Sequence, residues 1–299
     1  MRLAITGATG FVGATLLRLA LADGHSVAAL TRREQPAQEG VRWIDGALDD
    51  TAALGRLVES AEAVIHVAGV VNARDRAGFA AGNIAGTRAM LAAAEAAGVR
   101  HFVHVSSLSA REPALSNYGW SKAEAEHAVE ASPLASAIVR PPAIYGPGDM
   151  EMLDLFRFAK RHLALLPPSG RLSVIEVGDL ARLLLALATR GAQGSFDADD
   201  GTPGGWTHRE FAHAIGAALD RKLLAVALPQ TLVRAGATLD RLLRGDGAKL
   251  TPDRAAYFCH PDWVIDPARR PAPGLWTPAI DTPAGLAATA RWYEERGLL

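Results

Sequence analysis

The feature that most constrains this chain is an eight-residue stretch near its start, "TGATGFVG", from Thr6 to Gly13. Three glycines, Gly7, Gly10 and Gly13, stand between a short β-type run, Leu3 to Ile5, and an alanine- and leucine-rich run, Phe11 to Ala22. A turn that cradles a pyrophosphate calls for this arrangement. Gly7 allows a tight turn off the strand, Gly10 lets backbone N–H groups approach the anion with no Cβ in the way, and Gly13 lets the helix pack close to the sheet. Thr9, Phe11 and Val12 complete the candidate cradle. Strand before and helix after are the context the mechanism requires, so the stretch predicts a dinucleotide-binding unit.

The rhythm continues. Asp23-Gly24 closes the first helix and Ser26 to Leu30 forms a second strand; "AVIHVAG", Ala63 to Gly69, reads as a buried strand. "GTRAMLAAAEAAG", Gly86 to Gly98, is a helix with a glycine stop, and "HFVHVSS", His101 to Ser107, is the next strand. A helical pattern runs from Tyr118 to about Ala131, and "ASAIVRPPAIYG" gives a strand entering a proline-broken loop. After Gly148 the order loosens: Met152 to Leu163 is expected to be helical, "LSVIEV" a strand, and Asp179 the cap of a helix through "LARLLLALATR". Alternating strands and helices predict an α/β fold, a doubly wound parallel sheet with a smaller C-terminal part. At 299 residues, 49% of them hydrophobic, the chain can bury a core of that size. We expect residues 1–150 to build the nucleotide-binding domain, with later strands and helices returning to it from about 170–190, and residues 151–299 to be mainly substrate-binding.

The tip of the second strand bears on which dinucleotide binds. A carboxylate there would accept the ribose hydroxyls of NAD and repel a 2′-phosphate, but the chain has "LTRRE", with Thr31, Arg32 and Arg33 at the tip. Two guanidiniums favour NADP, and Glu34 nearby keeps NAD as the alternative.

Charge and cysteine usage narrow the partners. Lys and Arg number 31 against 32 Asp and Glu, a formal charge of -1, which offers no broad field for nucleic acid or an anionic membrane. The lone Cys259 excludes an internal disulfide and a Cys-rich zinc site, and no metal is expected. The N-terminus enters a strand at once, and no apolar segment approaches the roughly 18 residues of a membrane span, so a cytoplasmic protein is expected. His66, His101 and His104 lie on apolar strands as core histidines, and Trp206, Trp263 and Trp276 are expected to pack. "LLAVALPQTLVRAGATLDRLL", Leu223 to Leu243, has an apolar face with arginines; core or interface packing is expected, with a lean on a membrane as the other reading.

"YGWSK" places Tyr118 and Lys122 four residues apart, and taken alone it is a helix face. Its position is what matters. The ordered motifs "TGATGFVG", "VIHVAG", "NIAGTRAMLAAAEAAGVRHFVHVSS", "YGWSK", "VRPPAIYGPGD" and "VGDLA" resemble those of the extended or atypical branch of the short-chain dehydrogenase/reductase superfamily, the NAD-dependent epimerase/dehydratase type. The resemblance spans nearly the whole chain and implies a Rossmann domain carrying a smaller C-terminal substrate-binding part. It also implies roles: Tyr118 as acid/base, Lys122 on the nicotinamide ribose, and Ser107, with Ser109 as second choice, polarising the substrate. Asn83 matches an asparagine before the "GT" helix, although it could equally cap that helix. Val67, Ala68 and Gly69 would line the cofactor, Pro142 to Tyr145, Ile144 included, would approach the nicotinamide, and Leu48 or Asp45 would contact adenine. A monomer or a homodimer is implied, the dimer through the helices beginning near Gly86 and Tyr118.

Two departures count. Leu108 and Ser109 occupy the positions where sugar dehydratases of this type carry an Asp-Glu pair, and Leu172 stands where sugar-nucleotide epimerases place an arginine for the diphosphate. Oxidising an alcohol needs a base on its oxygen, and a phenol that titrates near ~10 would have to fall by roughly two to three units to serve at neutral pH. Lys122, one turn on, could supply much of that in a desolvated cleft. In the reductive direction Tyr118 protonates the new alkoxide. The expected function is an NAD(P)-dependent oxidoreductase interconverting a secondary alcohol and a carbonyl on a small or medium-sized organic substrate. A nucleotide-sugar epimerase or isomerase with tightly held NAD, and a non-catalytic dinucleotide-binding subunit or sensor, are the alternatives.

Overall fold

The computed structural model describes residues 1–245 and 251–299. Their elements are, in chain order, β1 (Arg2–Thr6), α1 (Phe11–Ala22), β2 (Ser26–Thr31), β3 (Val41–Asp45), α2 (Thr51–Val58), β4 (Ala63–His66), α3 (Arg76–Phe79), α4 (Gly86–Ala96), β5 (His101–Val105), α5 (Asn117–Glu130), β6 (Ser136–Arg140) and β7 (Ala143–Tyr145). There follow α6 (Leu153–Lys160), β8 (Leu163–Leu166), β9 (Arg171–Leu172), β10 (Val174–Glu176), α7 (Val177–Arg190), β11 (Gly194–Asp197), β12 (Trp206–Thr207), α8 (His208–Ala217), β13 (Leu224–Ala227), α9 (Gln230–Arg244), α10 (Pro252–Phe258), β14 (Asp262–Trp263) and α11 (Thr282–Glu295).

These elements fall into two compact units. The first holds residues 1–141, 178–198 and 268–277. Its sheet has seven strands, all parallel, in the order β11-β6-β5-β4-β1-β2-β3. Parallel strands are covered on both faces, which is why β1, β4 and β5 are nearly unbroken apolar runs. The order reverses between β1 and β4, the switch point where an open α/β sheet binds its ligand beyond the strand ends. Helix starts are written locally: Asp50 caps α2 and Ser116 caps α5. The core centres on Leu54, Leu57, Val64, Met90 and Phe102.

The second unit holds residues 142–177, 199–267 and 278–299. Tyr145, Phe156, Val174, Phe211, Leu286 and Tyr293 form its core. Thr207 and Glu210 close a reciprocal capping box at the start of α8.

Two expectations are corrected here. "LSVIEV" is two strands, because the chain changes sheets at Ser173: β9 pairs with β12 and β14, whereas β10 pairs with β7. Ser173 is buried, and its hydroxyl donates to Asp199 at 2.8 Å. Asp179 does not cap its helix, which starts earlier at Val177; it sits in the first turn, buried, and is ion-paired with Arg182. The segment Leu223 to Leu243 forms β13 and α9; Leu223 packs against the core of the second unit and Leu228 is half-buried, whereas its other leucines are exposed. Val233, Ala237 and Asp240 turn inward, while Leu232, Leu239, Leu242 and Leu243 are exposed.

Candidate active site

The glycine loop joins β1 to α1 as its spacing requires. Gly7 has φ +74°, and a Cβ there would stand 2.8 Å from the Ala68 nitrogen on the loop after β4. A Cβ on Gly13 would lie 2.0 Å from the Gly7 carbonyl oxygen, so only glycine lets α1 begin this close to its own loop. Gly10 is the N-cap of α1 and brings no side-chain acceptor, and the first turn holds no acid. The N–H groups of the first turn, from Phe11, Val12 and Gly13, are thus left for an external anion, in contrast to the side-chain caps of α2 and α5. That uncapped helix start fits a dinucleotide pyrophosphate. Thr9 and Gly10 are exposed beside it.

At the tip of β2, Thr31 is buried and its hydroxyl shapes the turn, donating to the Arg33 carbonyl at 2.7 Å and accepting from the Arg33 N–H at 3.2 Å. Arg32 and Arg33 are exposed. Leu48 is half-buried and packs on Gly86, where an added Cβ would meet its Cδ1 at 2.7 Å.

Beyond β4, Val67 and Ala68 are half-buried and Gly69 is exposed. A Cβ at Gly69 would lie 3.0 Å from Asn83 Oδ1 and 3.6 Å from Lys122 Nζ, so bare backbone passes directly over both groups. Asn83 does not cap a helix. It sits in a π-helical turn, Ala80–Ala85, donates to the Val70 carbonyl (2.9 Å) and to Ser121 Oγ (2.8 Å), and accepts from the Val70 N–H (2.7 Å). The residue therefore ties the loop after β4 to α5.

The serine, tyrosine and lysine meet at the end of β5. Ser107 is buried, caps a short 3-10 turn from Leu108 to Arg111, and shares a hydrogen bond with the Tyr118 phenol. Ser109 is also buried, and its hydroxyl has no partner among the described residues. Tyr118 is half-buried, with its ring 6.1 Å from that of Phe79. Gly119 makes the approach feasible: a Cβ there would stand 2.7 Å from the Ser109 carbonyl oxygen. Lys122 is buried and donates to the Val105 carbonyl at 2.7 Å.

The electrostatics differ from expectation. Burial pushes the Tyr118 phenol above its usual value, and the Ser107 hydrogen bond only partly opposes this. Burial also drives Lys122 down to about 8, while the Glu126 carboxylate pulls it upward. Desolvation is the largest effect on both groups.

Sequence reasoning missed Glu126, the residue one turn beyond Lys122. Its buried carboxylate accepts from Ser106 Oγ at 2.5 Å and from Arg140 twice, at 2.9 and 2.6 Å. The spacing of Tyr118, Lys122 and Glu126, four residues each, was the available signal. His66 bridges Thr6 (2.7 Å) and Thr87 (3.2 Å) and stacks on His104 at 5.5 Å; burial lowers the pKa of both. Pro142 and Ile144 are half-buried in the second unit, Ile144 within β7. Among the described residues no cluster of three or more metal-ligating side chains occurs, and no helix is long and apolar enough to cross a membrane.

Comparison with known proteins gives the arrangement its context. Residues 3–196 match the model of the NAD dependent epimerase/dehydratase family. The chain is 38% identical to the ceramide reductase of Caulobacter vibrioides, covering 99% of this chain and 95% of that protein. It is 30% identical to the 2-alkyl-3-oxoalkanoate reductase of Stenotrophomonas maltophilia, with 90% and 93% covered. Among solved structures, the human epimerase family protein SDR39U1 with NADPH shares the fold at a TM-score of 0.77 and 23% identity, with 97% of this chain and 99% of that chain covered. The chain belongs to the NAD dependent epimerase/dehydratase family and is an NAD(P)-dependent oxidoreductase of the short-chain dehydrogenase/reductase type.

Proposed function

We propose that the enzyme is an NADPH-preferring ketoreductase that converts a ketone to a secondary alcohol on a substrate with a long aliphatic part. The observation that carries this reading is the joined set of Ser107, Tyr118 and Lys122 with a phenol pushed upward by burial. A phenol at or above ~10 holds its proton at neutral pH, so Tyr118 rests as an acid rather than a base. That suits reduction. When bound, NADPH supplies the hydride that forms the new C–H bond at the carbonyl carbon. Ser107 donates to the carbonyl oxygen as charge develops there, and Tyr118 passes its proton to the same oxygen. Lys122, as an ammonium, offsets the charge left on Tyr118.

Arg32 and Arg33 at the exposed tip of β2 support NADPH over NADH, since paired guanidiniums suit a 2′-phosphate. The aliphatic substrate is drawn from two relatives named for ceramide and for 2-alkyl-3-oxoalkanoates. Substrate selection is assigned to the second unit, most of which lies beyond the residues that match the family model. The reaction is placed in the cytoplasm, on the strength of the lone cysteine.

The test is a turnover assay with NADPH against 3-oxoalkanoates of increasing chain length. Stoichiometric loss of NADPH and formation of a secondary alcohol are expected. A purified protein that carries NAD and interconverts nucleotide sugars with no net loss of reduced cofactor would replace this reading with the epimerase one.

A further inference from the structure

Among the described residues, the leucine face of α9 has no partner in the second unit. Over this 15-residue helix, about 22 Å long, Leu232, Leu239, Leu242 and Leu243 lie on one side and are 58, 56, 77 and 76% exposed. Ala235 and Gly236 share that side and are exposed as well. The opposite side turns Val233, Ala237 and Asp240 inward. Single exposed leucines are ordinary on a protein surface, but four on one face of one helix make a patch that marks an interaction site. The preceding strand also exposes apolar side chains: Leu224 is 67% exposed, and Val226 is exposed in register with exposed Leu165 on β8.

Charge identifies the occupant. Between residues 221 and 244 the chain carries Arg221, Lys222, Arg234, Arg241 and Arg244 against one acid, Asp240, in a protein whose formal charge is -1 overall. Asp240 is already paired with Arg244 at 3.2 Å, and Arg221, Lys222 and Arg234 are exposed. A helix with leucines on one face and arginines elsewhere, of low overall hydrophobicity, suits the interface of a bilayer bearing negative headgroups. A second copy of this chain would have to bring a basic segment against its own like charge.

We infer that α9, with β13, is a peripheral docking surface for an anionic lipid bilayer. The leucines enter the acyl boundary while Arg221, Lys222 and Arg234 meet the headgroups. The inference stands on α9 and β13 alone and does not need the ketoreductase reading. If both hold, an aliphatic substrate partitions into the bilayer on which the enzyme sits.

The experiment is vesicle co-sedimentation of the full chain, comparing pure phosphatidylcholine with an equal mixture of phosphatidylcholine and phosphatidylglycerol. Preferential binding to the anionic vesicles, weakened by added salt, is expected. The L239S/L242S variant alters two exposed side chains, and its partition should fall at least ~10-fold while the thermal shift with NADPH stays as in the wild type. Wild-type protein that stays in the supernatant with both vesicles, or a variant that binds as well as wild type, overturns the inference. So does a soluble wild-type dimer that the variant converts to monomer, which would make the face a contact between two copies.

Discussion

The Lys122 ammonium donates to the Val105 carbonyl at 2.7 Å, pinning the lysine of the Tyr-Lys pair to the last residue of β5. From that anchor Lys122 faces Glu126 on its own helix, His66 and His104 on β4 and β5, and bare backbone at Gly69. Neither histidine competes for a proton at neutral pH, because burial has lowered both. The lysine is therefore the titrating cation of the site.

This gives a pH dependence with a definite sign. Lys122 titrates near 8 in the folded protein against 10.5 for the free side chain. Above pH 8 the folded enzyme loses the charge that offsets a tyrosinate, so kcat/KM for ketone reduction should fall about tenfold per pH unit. Between 8 and 10.5 the unfolded chain holds more protons than the folded one, so the contribution of this group to stability rises with pH across that window. Steady-state rates from pH 6 to 10 check the first point; a profile flat through pH 9.5 would contradict it.

Glu126 and Arg140 should matter to folding out of proportion to their distance from solvent. Their side chains are 4% and 16% exposed and paired through two bonds. Glu126→Ala removes the directly bonded carboxylate from a largely buried guanidinium, leaving it only the weaker fields of Asp197 and Glu130, at a cost of about 3 to 5 kcal/mol. We expect a thermal midpoint lowered by at least roughly 5 °C, and a much smaller loss when Arg140→Met is added. Equal losses in single and double variants would show that the pair is not coupled.

Arg32 and Arg33 can be tested through cofactor choice. The R32A/R33A variant should raise KM for NADPH by roughly ten- to a hundredfold and leave KM for NADH within about twofold. Parallel kinetics with the two cofactors read this directly, and an unchanged NADPH/NADH ratio would return both arginines to the solvated surface.

The local signals in this sequence were strong where the structure is local. Gly7, Gly10 and Gly13 announce the loop because a Cβ at Gly7 or Gly13 meets backbone within 3 Å, and the central strands read as apolar runs because both faces are covered. Strand β3 is harder to see, since it lies at the sheet edge with Ile44 as its only buried residue. Arg140 is illegible as a partner of Glu126 until β6 is known to lie beside β5. The direction of the Tyr118 shift is illegible for a related reason: spacing locates the lysine, but burial of the cleft is a sum over the whole fold. Periodicity finds the apolar face of α9 and does not say what covers it.

The central claim is that Tyr118 is the proton donor in ketone reduction, and the most direct measurement is turnover by Tyr118→Phe beside its thermal shift with NADPH. We expect the variant to gain as much stability from NADPH as the wild type, about 2.7 kcal/mol at one hundred times the dissociation constant, while kcat falls at least about a hundredfold. Full turnover by a variant that still binds NADPH would contradict it.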